Sequence, residues 1–96
     1  EDTNRLIFIT TKIENKEIII EVKDNGGGIL ENIINRVFEP YFTTKHQSQG
    51  TGLGLHMTYN LIKEGMSGSI DVYNREYEHK NMTQKGAEFI IKFSIY

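Results

Sequence analysis

The stretch Gly50-Thr51-Gly52-Leu53-Gly54-Leu55 constrains the fold of this chain more than any other. Its glycines alternate with other residues, and a segment of helical period follows at once. Glycines let a backbone approach a ligand closely, and the first turn of a helix presents unpaired N–H groups. The pattern therefore predicts a loop that can bind a phosphate chain, although a plain turn before a helix has the same pattern.

Composition predicts a single soluble domain and excludes several kinds of function. The 96 residues are 38% hydrophobic and 25% charged, which is typical of one globular domain. The formal net charge of −2 provides no basic surplus for phosphates, so we expect no nucleic-acid partner. The chain has no cysteine, which excludes disulfides and thiolate metal sites and fits a reducing compartment. We expect a cytoplasmic location for this domain. A longer parent protein could still carry a membrane anchor elsewhere.

Periodicity predicts an α+β domain of four strands, one substantial helix and one minor helix. The first part comprises strands from Arg5 to Ile13 and from Glu17 to Lys23, a turn at Asn15-Lys16, and a short helix from Glu31 to Val37. The second part comprises the main helix from Leu53 to about Glu64, a strand from Ser69 to Asn74, a charged connection from Arg75 to Gly86, and a last strand from Ala87 to Tyr96.

A carboxylate stands at the end of the second predicted strand, in Asp24-Asn25-Gly26-Gly27-Gly28-Ile29. An ionised Asp only accepts hydrogen bonds, so Asp24 suits the exocyclic amino group of adenine, whereas guanine would present a carbonyl oxygen there. Gly26 and Gly28 would let a flat base lie against the backbone. The alternative interpretation is that Asp-Asn-Gly forms only a turn.

Aromatic residues flank a proline in Phe38-Glu39-Pro40-Tyr41-Phe42-Thr43-Thr44-Lys45, between the two glycine clusters. Two hydroxyls and a lysine then lead into a polar segment that ends at Gly50. The pattern indicates an anchored hinge for a lid, with Lys45 able to offer an ammonium group to phosphate. Aromatic core residues followed by a solvated lysine are the alternative.

Together and in this order, the three motifs make the chain resemble the ATP-binding catalytic domain of sensor histidine kinases. That domain shares its fold, the Bergerat fold, with Hsp90-type chaperones, MutL and type II topoisomerases. The motifs resemble the family's first glycine box, phenylalanine box and second glycine box, and the resemblance continues through Gly68-Ser69-Ile70 and Gly86-Ala87-Glu88-Phe89. It implies a two-layer sandwich in which a mixed, mainly antiparallel sheet is covered on one face by helices.

The resemblance also implies an ATP site. Asp24 would accept the adenine amino group, the glycines of the second box would hold the triphosphate, and residues 43–51 would form the ATP lid. The implied ATP-binding residues are Asp24, Gly26, Gly28, Ile29, Phe42, Thr43, Thr44, Lys45, Gly50, Thr51, Gly52, Leu53, Gly54 and Leu55.

The same resemblance implies the reaction and its partners. The γ-phosphate of ATP, held with Mg²⁺, would pass to a histidine on a separate dimerisation domain and then to an aspartate of a response regulator receiver domain. We identify no catalytic residue in this chain, because none of His46, His56 and His79 has the setting of the phosphoacceptor. We interpret His56 as a helix-face residue, and the three histidines lack metal-ligand spacing.

The chain departs from the family pattern at its start and near its end. The family carries an asparagine-bearing helix before the first hairpin, whose side chain ligates Mg²⁺, and this sequence begins after that point. We therefore interpret residues 1–96 as the C-terminal part of the domain, without a metal ligand. Ala87 stands where many relatives have threonine. For the isolated chain we expect weak or absent ATP binding, and self-association through an uncovered sheet face.

Two other functions are compatible with the sequence. An anti-sigma-type serine kinase shares the fold and part of the pattern from Pro40 to Lys45, but Phe38-Glu39-Pro40 favours a histidine kinase. A nucleotide-free interaction module is the other alternative. Asp24 and the motif glycines argue against such a module for the parent protein. For this chain alone, the interaction module is still an alternative.

Overall fold

The computed structural model describes residues 5–40, 42 and 54–95. Four strands form one sheet in the order β1-β2-β4-β3, and all three pairings are antiparallel. The strands are β1 (Ile7–Glu14), β2 (Glu17–Asp24), β3 (Ser69–His79) and β4 (Met82–Ser94). The helical segments are a 3-10 turn (Ile34–Arg36), α1 (Gly54–Asn60) and a π-helical continuation (Leu61–Gly65). The predicted α+β class is confirmed.

The first hairpin turns at the two residues expected from the sequence. Asn15 and Lys16 have φ angles of 51° and 66°. Positive φ at both central residues is what a two-residue type I′ turn requires, and this turn matches the twist of the flanking strands. The pairing then runs without interruption from Glu14 opposite Glu17 to Ile7 opposite Asp24.

The second hairpin is longer than predicted. The charged connection expected from Arg75 to Gly86 is wrong, because β3 continues to His79 and β4 begins at Met82, around a two-residue turn. Backbone pairing joins these outer halves, and between their side chains cross-strand ion pairs stand in place of the apolar contacts that sequence periodicity detects. They join Arg75 Nε to Glu88 Oε1 at 2.6 Å and Lys85 Nζ to Glu76 Oε2 at 3.5 Å.

The minor helix is shorter than predicted, whereas the main helix has close to the predicted extent but is less regular. In place of a helix from Glu31 to Val37, the chain forms the single 3-10 turn, whose first residues receive no side-chain cap. The main helix changes to π-helical hydrogen bonding at its end, where Met66 N donates to Leu61 O at 3.1 Å. Its end at Gly65 agrees with the predicted stop.

The core lies between the helical segments and one face of the sheet, which we call the helix-side face. The register places Ile20, Ile91 and Ile70 in one row across β2, β4 and β3 on this face. Ile70 and Ile62, the buried residue of the π-helical segment, are each 5% exposed. The buried residues on this face therefore lie over β3 and β4, whereas Ile19 of β2, also 5% exposed, lies on the opposite face of the sheet.

The β1 end of the helix-side face is open in the part of the chain that the structure describes. Ile7, Ile9 and Ile13 lie on that face and are 69%, 67% and 67% exposed. The described helical segments do not reach them. In the same described residues, no helix has the length and apolar character needed to cross a membrane.

Candidate functional site

Asp24 is the last residue of β2, and one oxygen of its carboxylate is held by backbone amides. Oδ1 accepts hydrogen bonds from Ala87 N and from Gly26 N, both at 3.0 Å. No described residue donates to Oδ2, and the side chain is only partly buried. The carboxylate is thus fixed in orientation while one oxygen can still accept from a ligand amine.

β4 passes so close to Asp24 that only glycine fits at position 86. A Cβ added to Gly86 would overlap the carbonyl oxygen of Asp24 and would lie 2.5 Å from its Oδ1. The motif that contains Gly86 in the sequence does not by itself indicate this role. An isolated glycine within a strand pattern is the signal that indicates such a close backbone approach.

The loop after Asp24 has a backbone that its glycines make possible. Gly27 and Gly28 have φ angles of 96° and 91°, which favour glycine. A Cβ on Gly28 would also lie 2.8 Å from Asn74 Oδ1, whereas one on Gly26 would meet only ordinary contacts. Gly27 N donates to Lys85 O at 3.0 Å, which ties the loop to the second hairpin.

The side chain of Asn74 on β3 forms hydrogen bonds with the other end of this loop, at Ile29. Its Oδ1 accepts from Ile29 N and its Nδ2 donates to Ile29 O, both at 2.7 Å. Nδ2 also donates to Glu31 Oε2 at 3.1 Å. Nothing in the sequence pattern marked Asn74, because it lay at the predicted end of an ordinary strand.

Tyr77 reaches Asp24 from the opposite face of the sheet. Its hydroxyl donates to the backbone carbonyl of Asp24 at 2.7 Å. Burial of the phenol, and secondarily the negative charge of Asp24, raise the pKa of Tyr77 above its ordinary value. Both effects favour the protonated phenol, which is the form that donates this hydrogen bond. Lys23 Nζ lies 4.1 Å from the centre of the same ring.

Asn25 joins the same end of the sheet to two other elements. Its Oδ1 accepts from Leu6 N at 2.9 Å, and its Nδ2 donates to Gln84 Oε1 at 3.0 Å. The residue next to Asp24 therefore links the start of β1 to β4.

Phe38, from the predicted hinge, packs between the main helix and the sheet. Its ring stacks on Tyr59 at 5.2 Å between centroids and meets the edge of Phe89 at 6.2 Å. Phe42 lies under the Arg36 guanidinium at 4.7 Å. The aromatic residues of this motif are thus anchored to neighbouring side chains.

His56 lies on the helix as expected and also makes a contact that the sequence did not indicate. Its Nδ1 lies 3.0 Å from Phe38 O, and its Nε2 lies 3.2 Å from Asn60 Nδ2. An amide nitrogen can only donate and a carbonyl can only accept, so these contacts fit a neutral ring protonated at Nδ1. His56 thereby ties α1 to the residue that begins the hinge.

The structure brings together the residues predicted to bind adenine. Most of the residues predicted to bind the triphosphate lie outside the described ranges. Asp24, Gly26, Gly28 and Ile29 form one loop, while Gly54 and Leu55 lie in α1. The predicted residues outside the described ranges are Thr43, Thr44, Lys45, Gly50, Thr51, Gly52 and Leu53, as is the predicted lid.

A shallow cavity of about 240 Å³ lies between the glycine loop and the second hairpin, lined in part by Gly28, Asn74 and Lys85. A second cavity of about 250 Å³ lies between α1 and β3, against Phe38 and Tyr59. The carboxylate of Asp24 lines neither of them. Across residues 5–40, 42 and 54–95, no cluster of acidic, histidine or cysteine side chains is placed to hold a metal ion.

A family model described as histidine kinase-, DNA gyrase B-, and HSP90-like ATPase matches residues 2–96. Sporulation kinase A of Bacillus subtilis is 39% identical over 92 residues, a match that covers 96% of this chain and 13% of that protein. The two-component sensor PprA of Pseudomonas aeruginosa is 38% identical over 76 residues, covering 79% of this chain and 7% of the sensor. The chain thus spans a small part of the length of these relatives.

Solved structures of histidine kinases also match this chain. A nucleotide-free catalytic domain of the histidine kinase ThkA superposes with a TM-score of 0.75 at 31% identity, covering 95% of this chain and 54% of that chain. Full-length ShkA in complex with AMPPNP matches with a TM-score of 0.69 at 24% identity, covering 91% of this chain and 16% of that chain, and it supports the fold alone.

Proposed function

We propose that this chain, which belongs to the family of histidine kinase-, DNA gyrase B-, and HSP90-like ATPases, is the ATP-binding catalytic domain of a two-component sensor histidine kinase. The matches confirm the resemblance to sensor histidine kinases that the three motifs indicate. In this role the domain binds ATP and presents its γ-phosphate to a histidine on a separate dimerisation domain. A response regulator receiver domain then accepts the phosphoryl group on an aspartate.

The geometry of Asp24 is the observation that supports this proposal most directly. Two backbone amides orient Oδ1, and Oδ2 stays available at the end of β2. An adenine amino group donates to Oδ2, whereas guanine would place a carbonyl oxygen against it. Two acceptors that face each other in a desolvated site leave both without a partner, which is costly. The site therefore selects ATP over GTP.

The triphosphate of ATP is proposed to bind at the second glycine box. Gly50, Gly52 and Gly54 let the backbone approach the triphosphate, and Lys45 adds a positive charge. Phosphoryl transfer depends mainly on positioning and charge neutralisation, so a fixed hinge matters for the rate. The contacts of Phe38 with Tyr59 and with His56 supply such a fixed point for the predicted lid.

No cluster of acidic, histidine or cysteine side chains is placed to hold a metal ion among residues 5–40, 42 and 54–95, and we propose no Mg²⁺ ligand among them. We propose that residues 1–96 form the C-terminal part of the domain and that an asparagine-bearing helix, as the resemblance implies, holds the ion. The domain is proposed to act in the cytoplasm.

Acid quenching of a labelling reaction tests this proposal against a serine kinase. The complete protein that carries this chain is incubated with ATP labelled at the γ-phosphate, and samples are treated with acid or alkali. Phosphohistidine is lost in acid and survives alkali, and this is the expected result. Acid-stable label would instead identify a hydroxyl acceptor. Absence of label, with ATP binding also absent, would favour an interaction module.

A further inference from the structure

We infer that Asn74 and Tyr77 on β3 are positioning residues for the adenine site, which hold the two ends of the loop from Asp24 to Ile29 from opposite faces of the sheet. The inference rests on the proposed ATP-binding function. It adds two side chains that the motifs do not include and gives the long second hairpin a role in the site.

Asn74 holds the loop on the helix-side face. Its amide acts as a substitute for a neighbouring strand, because it both accepts from Ile29 N and donates to Ile29 O at 2.7 Å. Gly28, directly before, is pressed against the same side chain, since a Cβ there would lie 2.8 Å from Asn74 Oδ1. The backbone that would lie along a bound base is therefore set by Asn74.

Tyr77 holds the loop on the other face. Three residues further along β3, its side chain points to the opposite side of the sheet, where its hydroxyl donates to Asp24 O at 2.7 Å. The ring is itself supported by Phe8, whose centroid is 5.9 Å away in an edge-to-face contact. Asp24 is thus held at its carbonyl by Tyr77 and at its carboxylate by Ala87 N.

The extension of the second hairpin explains how these contacts arise. Had β3 ended at Asn74, as the sequence suggested, no side chain of that strand would reach Asp24 O. Backbone pairing of β3 with β4 continues past Tyr77 to His79 opposite Met82, and the exposed ion pair between Glu76 and Lys85 lies beside it. The outer half of the hairpin is therefore part of the frame that fixes the direction of the Asp24 carboxylate, and with it the discrimination between adenine and guanine.

Tyr77→Phe and Asn74→Ala in the complete protein test the inference, with ATP and GTP affinity measured by calorimetry. Loss of one hydrogen bond to Asp24 is expected to weaken ATP binding about 3- to 10-fold, and loss of the Asn74 pair about 10- to 100-fold. The ratio of ATP to GTP affinity should fall in both variants. Tyr73→Phe and Glu78→Ala are the matched controls, because they lie on the same two faces of β3 without contacting the loop.

Amide hydrogen exchange gives a second readout that does not depend on nucleotide. In Asn74→Ala the Ile29 amide loses its acceptor, so its exchange should rise about 10-fold or more while the β2–β4 amides stay protected. Unchanged ATP affinity, base ratio and loop exchange, with only a lower melting temperature, would show a purely structural role and overturn the inference. A wild-type protein that binds no ATP would instead overturn the proposed function, and the exchange result would still decide the positioning role.

Discussion

Oδ1 of Asp24 accepts a hydrogen bond from the backbone amide of Ala87 at 3.0 Å, across two neighbouring strands. The orientation of this carboxylate thus depends on the β4 backbone and not on the side chain at position 87. The hydrogen bond is made with an alanine, whose side chain has no polar group, at this position. Changes at Asp24 and at its close neighbours should therefore affect the site in separable ways.

Asp24→Asn should reverse the hydrogen bonding presented to a base while keeping the fold. An Asn side-chain oxygen can still accept from Ala87 N and Gly26 N, so its amide nitrogen takes the place of Oδ2. This nitrogen would face the amino group of adenine. Both groups are hydrogen-bond donors, so no hydrogen bond could form between them. We expect ATP affinity to fall by about 1–3 kcal/mol and the preference over GTP to shrink or reverse.

Calorimetry with both nucleotides on the complete protein measures this effect, with thermal unfolding as the check on stability. A melting temperature close to that of the wild type is expected, because both Oδ1 contacts remain. ATP affinity that is unaffected by the substitution would place the adenine elsewhere in the domain.

Gly86→Ala should destabilise the fold itself. The added methyl group overlaps the carbonyl of Asp24, and β4 cannot move away without breaking its pairing with β2. Overpacking of this kind costs about 1–3 kcal/mol, to be measured by urea unfolding. Gly54→Ala is the matched control, because a Cβ there meets nothing within 4 Å and the residue lies in α1. An equal loss in both variants would contradict the close approach of β4.

These contacts also show how far the sequence could predict the structure. The first hairpin follows from local signals, namely two alternating segments and a two-residue turn. The contact of Asn74 with Ile29 joins residues 45 apart, and that of Tyr77 with Asp24 joins residues 53 apart. No local pattern encodes such pairs. The charged residues from Arg75 to Lys85 resembled a loop because their partners lie on the opposite strand.

Stability should fall in alkali through Tyr77. Its pKa is raised above the ordinary 10.0, so the folded state keeps the phenolic proton at a pH where the unfolded chain has lost it. The contribution is complete below the unfolded-state pKa of about 10 and is lost as pH rises through the higher folded-state pKa. Urea unfolding from about pH 8 to about pH 11 measures this. Tyr77→Phe should have a flatter alkaline decline, whereas Tyr73→Phe should follow the wild type.

The 96-residue chain should self-associate through β1, an edge strand of the described sheet. Two copies of β1 that pair antiparallel about Thr10 place Ile7 opposite Ile13 of the second copy, and this register keeps the exposed isoleucines on one face. The paired strands then satisfy their free backbone groups and bury part of the open apolar surface. Sedimentation should therefore show dimers or larger species. Ile9→Lys should shift the chain towards monomer, whereas Met57→Lys, at a similarly exposed position on α1, should not. A wild-type chain that sediments as a monomer at high concentration would disprove this association.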